Sequence, residues 1–316
     1  MSNLRVITYD DAAAHVTWPG AVEALRAGHK RPQARVADVF LGPADGSLLS
    51  RSAYIEGLGF GVKSVTVFGQ NPTFDLPTVQ GAMLVFEPAH GQLSAIVDSR
   101  LVTELKTAAD SVLGASLLAR PGSQSLLIVG AGTVARSLIK AYTAVLPSIT
   151  RVRVWARRAE QAHALADSFQ DSALDIAAVS DLPAAAAEAD IISTATMAKA
   201  PVLHGDWISP GTHVDLIGAF KADMREADDT LMTRGALFVD SRDTTIAHIG
   251  ELMIPIAAGV ISAESVKGDF YDLVGGRVAG REKDTDITVF KNGGGAHLDL
   301  MTAGYIADAM EAANAK

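Results

Sequence analysis

The sequence has no cysteine. That excludes disulfides, thiolate catalysis and thiolate zinc sites, and it is compatible with a reducing cytoplasm. No stretch approaches about 20 consecutive apolar residues, so no membrane span is expected. The opening "MSNLRVITYDDAAAHV" has no apolar core of signal-peptide length, and a cytoplasmic protein is expected. Basic runs are missing too. Lys plus Arg number 27 against 36 Asp plus Glu, a formal net charge of −9, which makes nucleic acid a poor candidate partner. The eight histidines show no H-x-x-x-H or H-x-H spacing, so no metal site is expected. A G-x-S-x-G elbow is also absent, which leaves Ser-His-Asp hydrolysis without support.

What is present is a globular composition. Of 316 residues, 48% are hydrophobic and 20% are charged, enough for two domains or one large one. Up to about residue 118 the rhythm is mixed. "AAHVTWPGAVEALRAGH" has a helical pattern. "ARVADVFLG", "SLLSRSAYIE", "GFGVKSVTVF" and "GAMLVFEPAHGQLSAIVD" are strand-like, the last with a hairpin turn at "HGQ". "SRLVTELKTAADSVLGASLLAR" then reads as a long helix ended by "PG". From Gln124 the rhythm becomes α/β alternation. Short apolar strands alternate with helices 133–146 and 159–169 and with an Ala-rich helix opened by Asp181 and Pro183. This predicts an α/β fold with a Rossmann-type doubly wound parallel sheet. The tail from "FKNGGG" onward ends in a helical pattern that would pack back on the first domain.

The first strand of that series runs into "GAGTVA". Gly130, Gly132 and Ala135 fit the G-x-G-x-x-G/A pattern, and Thr133 and Val134 open the helix. The first glycine permits the turn, the second lets a pyrophosphate approach the backbone, and free amides of the helix start face the phosphates. The context is the required one, strand before and helix after. The next strand ends "VWARRAEQ", with Ala156, Arg157 and Arg158 where an Asp or Glu would hold the ribose hydroxyls of NAD. Arg157 and Arg158 there suit the 2′-phosphate of NADP, or form a solvated helix start. The cofactor expectation is therefore NAD(P)H with NADPH favoured and dual use open.

Several further stretches converge: "GFGVKSV", "LPTVQGAMLVFEPAHGQLSAIVDSRLVTELKTAADS", "GTHVDLIGAFKADMREADDTLM", "IGELMIPIAAGVI" and "DITVFKNGGGAHLDLMTA". With the glycine turn they make the chain resemble the ornithine cyclodeaminase/mu-crystallin family over most of residues 35 to 303. The resemblance implies an α+β substrate and dimerisation domain, residues 1–118 with 291–316, beside a Rossmann domain at 119–290. It implies a homodimer, and a substrate meeting the nicotinamide in the cleft between domains. It also implies that Arg35, Lys63 and Lys106 bind the α-carboxylate of an amino or imino acid. The family usually has Arg where Lys106 stands, so a point charge replaces a bidentate fork.

Two departures separate the branches. Cyclodeaminases carry a catalytic Asp in a "GAD"-type turn, whereas this chain reads "GAF" with Phe220. That resemblance favours the imino-acid reductase and alanine dehydrogenase branches over a cyclodeaminase lyase or a non-catalytic mu-crystallin-type binder. In the reductive reaction, hydride goes to the C=N carbon of a 2-imino acid while the protein supplies orientation and charge. Lys63 can act as general acid, and Asp299 matches a family aspartate that orients a base or the substrate nitrogen, with a capping role as the alternative. The second departure is polar. Arg51 in "RSAY" and His297 in "GGGAHLD" replace apolar residues. If both face the substrate, a second anionic group follows, and iminosuccinate giving L-aspartate is the leading candidate. Alternatively Arg51 pairs with an acid and His297 is a satisfied structural histidine.

Overall fold

The computed structural model describes residues 4–43 and 45–315. It divides into two compact units, residues 1–106 with 295–316 and residues 107–294. The division falls inside the long helix Ser99–Leu118.

The first unit is built on a six-stranded sheet. Its strands are β1 (Arg5–Ile7), β2 (Arg35–Leu41), β3 (Ser47–Ile55), β4 (Gly59–Val67), β5 (Val79–Phe86) and β6 (Leu93–Asp98), in the order β1-β6-β5-β4-β3-β2. All pairs are antiparallel except β1 with β6. Strand β1 carries no signal in the sequence, being three residues long. One face of this sheet is covered by the helix Ala296–Asn314, and the helix Trp18–His29 packs against that helix. Thr17 caps Trp18–His29, its hydroxyl accepting from the Gly20 amide. Along β4 every second residue points into that face, so Gly59, Gly61, Lys63 and Val65 are buried. Gly61 allows the last helix to come close. A Cβ there would lie 2.4 Å from Met83 Cε and 2.9 Å from Leu300 Cδ1.

The second unit is a parallel sheet of eight strands. They are β7 (Ser125–Val129), β8 (Arg151–Trp155), β9 (Asp175–Ala178), β10 (Ile191–Thr194), β11 (His213–Leu216), β12 (Ala236–Val239), β13 (Val266–Gly268) and β14 (Thr288–Lys291). Their order is β13-β12-β14-β11-β10-β7-β8-β9. This is the expected doubly wound arrangement, with the direction of winding reversing between β7 and β10. The sequence pattern does not reveal β13 and β14, which are short and frame a long irregular stretch. Central strands are buried on both faces: the polar Ser193, His213, Asp215 and Thr288 lie on one with Phe238 and Phe290, and the apolar Ile192, Val214, Leu216, Val239 and Val289 lie on the other. Each such apolar side chain contributes about 1.5–3 kcal/mol.

The "NGGG" run has a definite role. Asp240 Oδ2 accepts from the amides of Gly293 (3.0 Å) and Gly294 (2.6 Å), while its Oδ1 accepts from Ser241 N and Thr245 Oγ1. The run therefore wraps an internal anion. The amides of Asn292, Gly293 and Gly294 are all engaged inside the protein. Removing the carboxylate strands four buried donors. Asp240→Ala is expected to lower unfolding free energy by about 3 kcal/mol, read as a shift in urea midpoint. An unchanged midpoint would show that this loop does not depend on the carboxylate.

Candidate active site

The first unit gathers a buried charged group. Lys63 on β4 donates to Asp299 Oδ1 at 2.7 Å, with the two side chains 7% and 0% exposed. Asp299 lies in the first turn of the last helix, where the N-terminal dipole favours a carboxylate. Its second oxygen, Oδ2, is buried and has no hydrogen-bond partner among the described residues. A buried acceptor left open next to a cation suits a ligand's N–H. Lys63 spends one of its three N–H groups on Asp299 and keeps two for an anion.

The cross-strand register decides which predicted residues join this pair. Asp38, Arg51, Lys63 and Met83 lie directly opposite one another across β2 to β5, on the helix-covered face. Arg51 is engaged there: its Nε and Nη2 donate to Asp38 Oδ2 at 2.9 and 2.8 Å. Arg35 faces Tyr54 in the register, one residue out of phase, so it lies on the opposite face and is exposed. The expected trio of cations is therefore not gathered on one face of this unit. Lys106 is buried on the long helix, and its charge acts on His297.

His297 is 1% exposed, with its ring edge-on to His29 at 5.6 Å. Burial, reinforced by the nearby His29, Lys106 and Arg51, holds its pKa well below the ordinary value. Burial likewise pushes His29 down to about 4, against a hydrogen bond to Leu25 O. Both rings are neutral at neutral pH. His297 thus supplies no positive charge for a second carboxylate.

In the second unit the glycine turn has the geometry its sequence implies. Gly130 adopts φ +129°, open only to glycine, and its amide donates to Trp155 O at 2.7 Å. Gly132 occupies the N-cap of helix Thr133–Val145 with no side-chain cap. A Cβ on Gly132 would meet nothing within 4 Å, so space stands open at the helix start. Ala135 is fully buried and packs the helix on the sheet. This cradle fits a pyrophosphate. Arg136, which the sequence pattern does not single out, lines the same pocket of ≈ 400 Å³ with Gly132, Thr133 and Gln161. Arg157 and Arg158 follow β8, next to β7, and both are exposed. No described residue engages either side chain.

Two buried acids organise the loops after β10 and β11. Glu226 accepts from Thr194 Oγ1, Thr196 N, Thr196 Oγ1 and Gly218 N. Glu251 accepts from the amides of Glu226 and Ala227. Neither carboxylate has a sequence signature. Asp215, inside the sheet, accepts from Ser111, Ser193 and Tyr142. Burial raises its pKa to about 6, while Ser193, Ser111, Lys291 and Tyr142 oppose the shift.

These features define a class: a two-unit protein with a doubly wound nucleotide-type sheet and a separate unit carrying a buried Lys–Asp pair. The chain belongs to the ornithine cyclodeaminase/mu-crystallin family, whose model matches residues 20–314. It is 66% identical over 306 residues to the Delta(1)-pyrroline-2-carboxylate reductase of Paracoccus denitrificans (strain Pd 1222), covering 97% of each chain. Its fold matches the Delta(1)-pyrroline-2-carboxylate reductase of Thermococcus litoralis, solved with NADH and L-proline, at TM-score 0.90 and 26% identity over 98% of both chains. The iminosuccinate reductase of Paracoccus denitrificans, solved with NAD+, matches at TM-score 0.91 and 27% identity, over 98% of this chain and 97% of that one.

Burial raises the pKa of Glu251 to about 7, with Glu226 adding to the shift and Lys291 opposing it. A raised carboxyl pKa means that the folded state holds the proton more tightly than the unfolded chain. Its stabilising effect is complete below the ordinary value of 4.5 and is lost as pH rises towards 7. Thermal stability is expected to fall across that window, and Glu251→Gln is expected to flatten the profile. A variant that keeps the wild-type slope would assign the pH dependence to other groups.

Proposed function

We propose that this chain reduces the C=N bond of a 2-imino acid to an L-amino acid, using a nicotinamide nucleotide, and that its substrate is a cyclic monocarboxylic imine such as Δ1-pyrroline-2-carboxylate. One observation carries the reading: a buried lysine held by an aspartate whose other oxygen lacks a donor. The two similar pyrroline-2-carboxylate reductases support the choice of imine.

Hydride is the chemistry that a bound nicotinamide nucleotide supplies. The residues that would hold it are Gly130, Gly132, Thr133, Val134 and Ala135 at the pyrophosphate, with Arg157 and Arg158 towards the adenosine ribose. Both arginines are unengaged, so we favour NADPH and expect NADH to be used as well. Lys63, with Lys106, binds the α-carboxylate. Asp299 Oδ2 accepts the N–H of the protonated imine, and its negative charge favours that protonated form. Hydride added at C2 of the iminium gives the neutral amine, which takes its further proton from water. Asp299 also fixes the Lys63 ammonium, a positioning role.

A dicarboxylic imine such as iminosuccinate needs a second cation. Arg51 already pairs with Asp38, and His297 is neutral, so we rank that substrate second. A cyclodeaminase cycle would need an acid where Phe220 stands. We further propose a homodimer formed through the other face of the first unit's sheet. Val39, Leu41, Leu48 and Phe60 all point to that face and are 50%, 59%, 36% and 44% exposed.

The test is direct. Incubate the protein with Δ1-pyrroline-2-carboxylate and NADPH or NADH, follow nicotinamide absorbance, and identify L-proline. Lys63→Met removes the α-carboxylate's cation and strands Asp299, and is expected to lower kcat/KM at least about 100-fold. Ammonia release from ornithine without net cofactor change would sink the reading. Replacing Arg157 and Arg158 by Ala should weaken NADPH and spare NADH; equal losses would remove the arginines from cofactor choice. Phe60→Asp should shift the mass measured by light scattering from dimer to monomer, and a wild-type monomer would refute the assembly.

A further inference from the structure

The sequence holds four asparagines, Asn3, Asn71, Asn292 and Asn314, and of these Asn292 alone precedes a glycine. An asparagine followed by glycine is chemically labile, because no side chain shields the next amide nitrogen. That nitrogen attacks Cγ of the asparagine, its proton passes to solvent, and ammonia leaves. Water then opens the five-membered imide at either C–N bond, which gives aspartate or isoaspartate. Asn71 is barred from this route, since Pro72 carries no N–H.

The second unit uses both members of the labile pair. A Cβ at position 293 would overlap Thr245 Oγ1, so the packing dictates glycine there. Asn292 is buried, and its Nδ2 donates to Thr107 O at 3.1 Å and to Ser111 Oγ at 3.0 Å. Ser111 in turn donates to Asp215 Oδ1. A carboxylate at 292 has no N–H for either acceptor. The pair is therefore built into the fold, and its lability has to be restrained by what surrounds it.

Three contacts supply the restraint. Gly293 N donates to Asp240 Oδ2 at 3.0 Å, so the attacking nitrogen keeps its proton against a carboxylate. The two bonds from Asn292 Nδ2 hold the side chain in one orientation. Asn292 N donates to Leu216 O, which ties the backbone to β11. Asp240 is itself held by Ser241 N and Thr245 Oγ1. We propose that Asn292 is this chain's site of spontaneous deamidation and that the Asp240 clamp gates it. Conversion proceeds only from the locally opened loop, at a rate set by the population in which the clamp is released. Closure after conversion is blocked. Aspartate at 292 sets a carboxylate against Thr107 O, and isoaspartate adds a methylene to the backbone between Lys291 and the clamp. A transient opening thereby becomes a permanent loss of native structure.

The experiment incubates the full chain at neutral pH and follows residue 292 by peptide mass spectrometry, with the isoaspartyl form separated. The reference is the same chain unfolded in guanidinium chloride. Native wild type is expected to convert at least about 100-fold more slowly than the unfolded chain. Asp240→Ala, with its fold checked by circular dichroism, should convert at least about 10-fold faster than native wild type. Thr245→Val removes one bond to the clamp and should fall between the two. If Asp240→Ala does not fold, wild type in denaturant below its unfolding midpoint carries the test: conversion should rise before the circular dichroism signal changes. A folded Asp240→Ala that converts at the wild-type rate would overturn the proposal. So would native wild type converting as fast as the unfolded chain, a rate that rises only with global unfolding, or faster conversion at another asparagine of the unfolded chain.

Discussion

The first unit is organised around one buried ion pair, Lys63 with Asp299. Two charges removed from water are costly unless each finds partners. This pair meets that requirement only in part, because Asp299 Oδ2 has none among the described residues. The last helix must approach the sheet closely for the pair to form, and Gly61 permits the approach. Alternation along β4 then places the lysine beneath the helix instead of in solvent. A partly satisfied buried pair is poor design for stability alone. It suits a site where an incoming ligand supplies the missing donor and the missing anion.

The second unit uses internal carboxylates as fasteners. Asp240 gathers the amides of Gly293 and Gly294, and Glu226 gathers the loops after β10 and β11. Such loops would otherwise leave buried amides unpaired, so each acid converts an irregular segment into a rigid one. Gly130 donates to Trp155 O, but the helix start at Gly132 is left out of this internal satisfaction and has no side-chain cap. Where the chain satisfies its own donors, it builds framework; where it leaves them open, it prepares for a phosphate.

Legibility in the sequence followed the range of each interaction. The parallel sheet and the glycine turn were readable because strand, turn and helix signals lie within a few residues. The short strand β14 was not, since Thr288–Lys291 emerges from irregular chain well beyond the short helix Phe270–Val274. Lys63 and Asp299 are 236 residues apart, so resemblance pointed to both but no pattern could join them. The face of Arg35 depends on register by a single residue, which alternation alone does not fix. In the sequence Arg51 and His297 suggest a second carboxylate; the structure engages one with Asp38 and encloses the other as a neutral ring. Glu226 and Asp240 act on backbone amides, and carboxylates that do so carry no motif.

The proposed reduction requires Lys63 and Asp299 to work as a unit. The most direct measurement is a double-mutant cycle of Lys63→Met and Asp299→Asn, read as kcat/KM on Δ1-pyrroline-2-carboxylate. If the pair binds and orients the imine together, the double variant loses scarcely more than the worse single one, a strongly non-additive result. If the losses multiply, the two side chains act independently and the central claim fails.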